Sequence, residues 1–205
     1  MMVKIGLRIV VFLVFSAAVR ADVSFEQRLA EARQQYFADL QGDHKAADQA
    51  RASFAALTRE YPDNAVVEAY SGSLELLEAA HTWAIWDKHR LANEGLQKLD
   101  QAVDRAPGNL EARFIRAAST WHLPFFFKRK AQSESDFAII APQAEAAAAK
   151  GELPPALAAA ALDYYGQVLT DRSDNHGAKR AFQAAVRVAS NSPAGRDARK
   201  RLREE

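Results

Sequence analysis

Near the C-terminus, Leu162, Tyr165, Gly166 and Leu169 are followed by Ala178, Phe182 and Ala185, so large and small residues recur at helical offsets of three, four and seven. Residues at those offsets share one face of a helix, which leaves two antiparallel helices as the economical way to use them. Gly166 lets the two backbones approach closely, Phe182 fills the space that the missing side chain leaves, and Ala178 and Ala185 keep the second helix tight against the first. The segment therefore reads as one helical hairpin, and it serves as a ruler for the rest of the chain.

The chain has 205 residues, of which 49% are hydrophobic and 26% charged. That is enough for one domain with a continuous buried core, expected over residues 22–205. Glycine and proline are sparse at 9 and 7 residues, and no alternation of polar and β-branched residues follows residue 22. The expected fold class is all-α.

The N-terminus carries Lys4 and Arg8, an apolar run from Ile9 to Phe15, and small residues up to Val19 and Ala21. This is the pattern of a secretory signal peptide over residues 1–21, with cleavage expected before Asp22. As a helix, Ile9 to Val19 spans roughly 16 Å, about half of a 30 Å hydrocarbon core, which disfavours an uncleaved anchor. With no cysteine, the export signal is not that of a lipoprotein and the fold has no disulfides to lean on. The periplasm is the expected destination, with full secretion as the alternative. Removing the signal leaves 24 basic and 26 acidic residues, a net charge of −2, which argues against a nucleic-acid partner.

Along the mature chain, Phe25, Leu29, Ala32, Tyr36 and Leu40 mark the buried stripe of a first helix ended by Gly42. Asp43 caps a second helix that runs to Glu60 and carries Ala50, Phe54 and Leu57 at the offsets of Ala178, Phe182 and Ala185. A helix from Ala65 to about Ala80 holds Gly72 near the close-packing position, and a partner from about Leu91 to Arg105 carries Gly95, Leu99 and Ala102. Tyr61-Pro-Asp-Asn64 and Ala106-Pro-Gly-Asn109 break the chain at Pro62 and Pro107, 45 residues apart. A third unit opens with Phe114, Ala117, Ala118 and Trp121. Its second helix, with Ala131, Ser135 and Ala138, is expected to kink or restart at Pro142 and to end at Gly151. The last hairpin is expected over Ala156–Thr170 and Asn175–Ala189, and a short basic helix, Gly195–Arg203, caps the end.

The hairpin at Leu162 to Ala185 resembles the tetratricopeptide repeat, and Ala50, Phe54 and Pro62 and then Leu99, Ala102 and Pro107 match the second half of that motif. The unit from Pro62 to Pro107 exceeds the 34-residue repeat by 11 residues, and the surplus falls at His81 to Arg90. The resemblance implies a right-handed α-solenoid of about four helical hairpins plus a capping helix, acting as a scaffold that binds and does not catalyse. It further implies a concave groove faced by Asp163, Gln167 and Thr170.

No catalytic set, metal site or cofactor is expected. His44, His81, His89, His122 and His176 include no pair at the three- or four-residue spacing of helical metal ligands. Tyr70-Ser-Gly-Ser73 lacks the leading glycine of a nucleophile elbow, and Asp171-Arg-Ser-Asp-Asn-His176 lacks the ligand alternation of a calcium loop.

What stands above background is a pair of turns, His81-Thr-Trp-Ala-Ile-Trp-Asp-Lys-His-Arg90 and Trp121-His-Leu-Pro-Phe-Phe-Phe-Lys-Arg-Lys130. Stacked hairpins place them side by side, gathering Trp83, Trp86, Trp121, Phe125, Phe126 and Phe127 with Lys88, Arg90, Lys128, Arg129 and Lys130 on one edge. Aromatic anchors with arginine suit a partner protein or peptide, and aromatics flanked by cations suit a membrane surface. The plainer alternative is that Trp83, Trp86 and Phe125 to Phe127 fold back as a satellite core. The leading expectation is an exported adaptor, monomeric, that holds a peptide or protein in its groove or on its aromatic edge. A self-associating solenoid is the alternative.

Overall fold

The computed structural model describes residues 25–204, and every element in them is helical. The expected signal segment, 1–21, lies outside the described residues. The chain divides into two compact units, Met1–Asp63 and Asn64–Glu205.

In the first unit, α1 (25–40) and α2 (His44–Glu60) form an antiparallel hairpin. Gly42 makes the turn at φ +98°, a conformation that costs glycine nothing, and the Asp43 side chain accepts from the Lys45 amide to start α2. Leu29, Ala32 and Tyr36 are buried, as are Ala50, Phe54 and Leu57. Ser53 donates to Gln35 at 2.7 Å, and Arg28 pairs with Glu60 at 2.5 Å, fixing the register from both ends. Leu40, expected on the buried stripe, is the last residue of α1 and stands exposed.

The second unit contains α3 (Ala65–His81), α4 (Ile85–Arg105), α5 (Leu110–Trp121), α6 (Lys130–Ile140), α7 (Ala144–Lys150), α8 (Pro155–Asp171), α9 (Asn175–Ala189) and α10 (Pro193–Glu204). Antiparallel hairpins α3/α4, α5/α6 and α8/α9 stack in chain order, and α10 lies on α8 and α9. The side chains of Asn64, Asn109 and Asp174 cap the amides that open α3, α5 and α9, which accounts for where those helices begin.

Two close approaches hold the hairpins. A Cβ on Gly72 would sit 2.7 Å from the Gly95 carbonyl oxygen, and one on Gly95 would sit 2.6 Å from that of Gly72, so α3 and α4 cross backbone to backbone. At Gly166 a Cβ would sit 2.3 Å from the Phe182 ring, which fills the space as the spacing predicts. Pro142 removes the amide that would continue α6; a 3-10 turn over Ala141–Gln143 intervenes before α7, which Gly151 closes at φ +76° with buried Leu153 beyond it.

The surplus residues His81 to Arg90 do not form a long turn. α3 runs through His81, only Thr82–Ala84 link it to α4, and α4 starts at Ile85, six residues before the expected Leu91. No side-chain cap marks that start, which is why the sequence pattern misses it. The register of α6 also differs from expectation. Its buried face is Ser133, Asp136, Phe137 and Ile140, while Ala131 and Ser135 are exposed.

Gly95→Ala should destabilise the protein by about 1–3 kcal/mol in urea unfolding, because the added methyl meets a carbonyl that belongs to a helix and has no rotamer to escape into. Gly108→Ala, where a Cβ would meet nothing within 4 Å, should be near neutral.

Candidate functional site

The polar interior of the second unit sets the register on which its surface depends. Tyr70 on α3 donates to Glu111 on α5 at 3.0 Å, and Ser119 on α5 donates to Ser73 on α3 at 2.8 Å. Both pairs advance in the same direction along the two helices, so α3 and α5 are parallel and their C-terminal ends point the same way. The α3–α4 link and the α5–α6 turn therefore leave the second unit at one end.

They are stepped rather than level. α3 continues eight residues beyond Ser73 and α5 only two beyond Ser119. Counted from the Ser73–Ser119 bond, α3 carries about 9 Å more helix than α5 before the turn at 122–129 begins.

At this end the aromatic side chains divide sharply. Trp83 is 95% exposed, Trp86 84%, Phe125 92% and Phe126 62%. The satellite core weighed above is therefore absent at these four positions. Phe125 to Phe127 form a single 3-10 turn, with ring centroids 6.0 Å apart for the first pair and 4.8 Å for the second, so the rings pack on one another, and Phe127 is half-buried.

Trp121 does not join the edge. It closes α5 and turns inward, edge-on to Phe137 at 5.7 Å and to Tyr164 at 6.3 Å, with Lys130 Nζ 5.1 Å from its ring. As the last residue of a helix whose inner face is apolar, it covers the α5–α6–α8 junction. The sequence pattern could not show which way that terminal side chain turns.

The cations also divide. Lys88 and Lys128 are exposed and make no ion pair among the described residues, and Lys128 holds a left-handed backbone at φ +55°. Arg90 pairs with Glu94 at 2.9 Å and more loosely with Asp87 at 3.5 Å. Arg129 is tied to Asp100 at 2.8 Å and to Gln132, and Lys130 reaches Asp171 at 3.3 Å.

The three groove residues carried by the resemblance differ in exposure: Gln167 is half-buried and Thr170 exposed. Asp163 is buried, not open to a partner: Arg201 on α10 donates to it at 3.3 Å and Gln167 at 2.9 Å. Gln167 is thereby occupied, and Thr170 turns its hydroxyl back to the Gly166 carbonyl at 3.0 Å. The C-terminal helix lies over this part of α8. Burial holds the Asp163 carboxyl above the ordinary aspartate range, outweighing Arg201 and Gln167, with Asp197 adding to the rise.

One interior site escaped the sequence reading. Asp136 is 2% exposed and accepts from Arg113 at 2.7 Å and from Arg116 at 2.9 and 2.8 Å. Arg113 also donates to the Pro107 carbonyl, and Arg116 reaches Asp100 at 3.4 Å. Burial works against the charge on Arg116, but Asp136 more than offsets it, helped by Asp100 and Asp104, and the guanidinium is held above its ordinary value. The available signal was the three-residue spacing of Arg113 and Arg116, which puts both on one helical face. No protein-family model, curated protein or solved structure matches the chain.

Asp136→Ala should cost about 3–5 kcal/mol in urea unfolding, because it leaves two guanidinium groups buried without their counter-charge. Asp163 has the opposite consequence. Its folded-state pKa lies above the unfolded one, so the native chain holds more protons just above the ordinary aspartate range, and stability from this group falls as pH rises through that window. The stability of Asp163→Asn relative to the unmodified protein should therefore climb with pH across that window and then level off. A pH-independent difference would remove the assignment.

Proposed function

We propose that this chain is a non-catalytic docking module of the tetratricopeptide-like type, exported to the bacterial cell envelope, and that it works through the aromatic end of its second unit rather than through a groove on α8. The observation that carries this reading is the exposure of Trp83, Trp86, Phe125 and Phe126 at one end of the stack. Large aromatics bury about 150–250 Å² each when covered, equivalent to roughly 4–6 kcal/mol per ring before the costs of association. The hairpins below are closed by Gly72, Gly95 and Trp121 and gain nothing visible from leaving four rings in water. An exposed apolar patch of this kind marks an interaction surface. Export rests on the N-terminal pattern of Lys4, Arg8 and the apolar run from Ile9 to Phe15.

The groove reading is weakened by Arg201, which already occupies Asp163. No reaction is assigned to the chain.

The test is the double variant Trp86→Ala/Phe126→Ala in the full chain. Exposed positions away from the core should change stability by about 0.5 kcal/mol or less. The variant should keep its thermal midpoint yet be lost from the envelope fraction with which the unmodified protein is recovered. A midpoint several degrees lower with unchanged recovery would return these residues to a structural role.

A further inference from the structure

We infer that the surface this end engages is an anionic lipid bilayer, with the rings entering the headgroup region and the unpaired lysines meeting lipid phosphates; this rests on the docking reading above. Three observations favour a bilayer over a protein partner.

The first is shape. Protein hot spots are buried in matching pockets at the centre of a packed interface. Here Trp83 and Trp86 stand on one tip and Phe125 and Phe126 on another, all four exposed and none seated in a pocket of its own. A bilayer interface needs no pocket for each ring. Tryptophan and phenylalanine are also the side chains that interfacial proteins use for shallow insertion.

The second is charge. Segments 81–90 and 121–130 contain five lysines and arginines against Asp87 alone, a formal net charge of +4 in a chain that totals +1, so the rest of the sequence sums to −3. The two turns thus carry an excess of positive charge beside the exposed rings, as Gly195–Arg203, with five cations against Asp197, does on the C-terminal helix. Complementarity to an anionic surface follows at these turns.

The third is availability. Arg90, Arg129 and Lys130 have carboxylate partners, but Lys88, two residues after Trp86, and Lys128, two after Phe126, have none among the described residues. Each aromatic tip thus has one free ammonium beside it. No described helix is long and apolar enough to cross a membrane, so the contact is peripheral.

The experiment uses purified protein and two vesicle preparations, phosphatidylethanolamine with phosphatidylglycerol and phosphatidylcholine alone. Co-sedimentation with the anionic vesicles should exceed that with the neutral ones by on the order of ten-fold, and added salt should erase most of the difference. Lys88→Gln/Lys128→Gln should remove the anionic preference, and Trp83→Ala/Trp86→Ala should lower binding to both preparations on the order of ten-fold. Because Trp121 is buried, the emission that acrylamide quenches in the unmodified protein comes from Trp83 and Trp86, and anionic vesicles should shield it and shift it to the blue.

Absence of vesicle binding, while recovery with the envelope fraction still depends on Trp86 and Phe126, overturns the lipid assignment and leaves docking to a protein. A two-chain mass in light scattering that the aromatic variant halves, again without vesicle binding, overturns it in favour of a second copy. Recovery that ignores the aromatic variant overturns the docking reading together with this one.

Discussion

Asp136 is a carboxylate almost without access to water, and it accepts three hydrogen bonds from Arg113 and Arg116 of the preceding helix. Such a cluster is stable only complete, since any one member left alone is a buried uncompensated charge. It therefore fixes the register of α6 on α5 more stringently than apolar packing does, because a slip of one residue would separate the charges. Thr120 with Ser133 at 2.8 Å continues the same polar seam toward the end of the hairpin. Arg116 also reaches back to Asp100 on α4, and Arg129 meets the same carboxylate, so the start of α6 is tied to the preceding hairpin.

That seam decides where the aromatic turn lies. With α5 and α6 held in register, the residues between Trp121 and Lys130 span a short gap, and the 3-10 turn of Phe125–Phe127 forms beyond the last core layer. Phe137 stacks on Tyr164 at 4.9 Å and Trp121 closes over both, so the apolar demand of the junction is already met from inside. Phe125 and Phe126, outside it, stay exposed. A similar logic applies to α4, whose added turn from Ile85 to Arg90 lifts Trp83 and Trp86 away from the Gly72–Gly95 crossing. α10 lies over α8 and engages Asp163 through Arg201.

Much of this was legible along the chain. Gly72, Gly95 and Gly166 identify close helix crossings because only the smallest residue fits there, and Phe182 announces itself as the complement of Gly166. Asp43 marks a helix start through its side-chain hydrogen bond, and Pro142 and Gly151 mark an interruption and an end. Less was legible where a polar residue replaces an apolar one on an inner face. Ser133 and Asp136 read as solvated positions by composition, and only Thr120, Arg113 and Arg116 make them interior. The early start of α4 was hidden because Ala84 provides no cap.

Local periodicity, caps and breakers are properties of a few consecutive residues, so the sequence by itself determined the all-α class and the glycine crossings. Which aromatic faces water is not a local property. Trp83, Trp86 and Trp121 all sit in aromatic, basic turns, yet Trp121 is buried because Phe137 and Tyr164 from two other helices meet it, while Trp83 and Trp86 extend past the end of α5. Asp163 likewise is a plausible groove residue until Arg201, thirty-eight positions on, is brought against it. Burial depends on contacts between residues distant in the chain, and only the tertiary structure decided those.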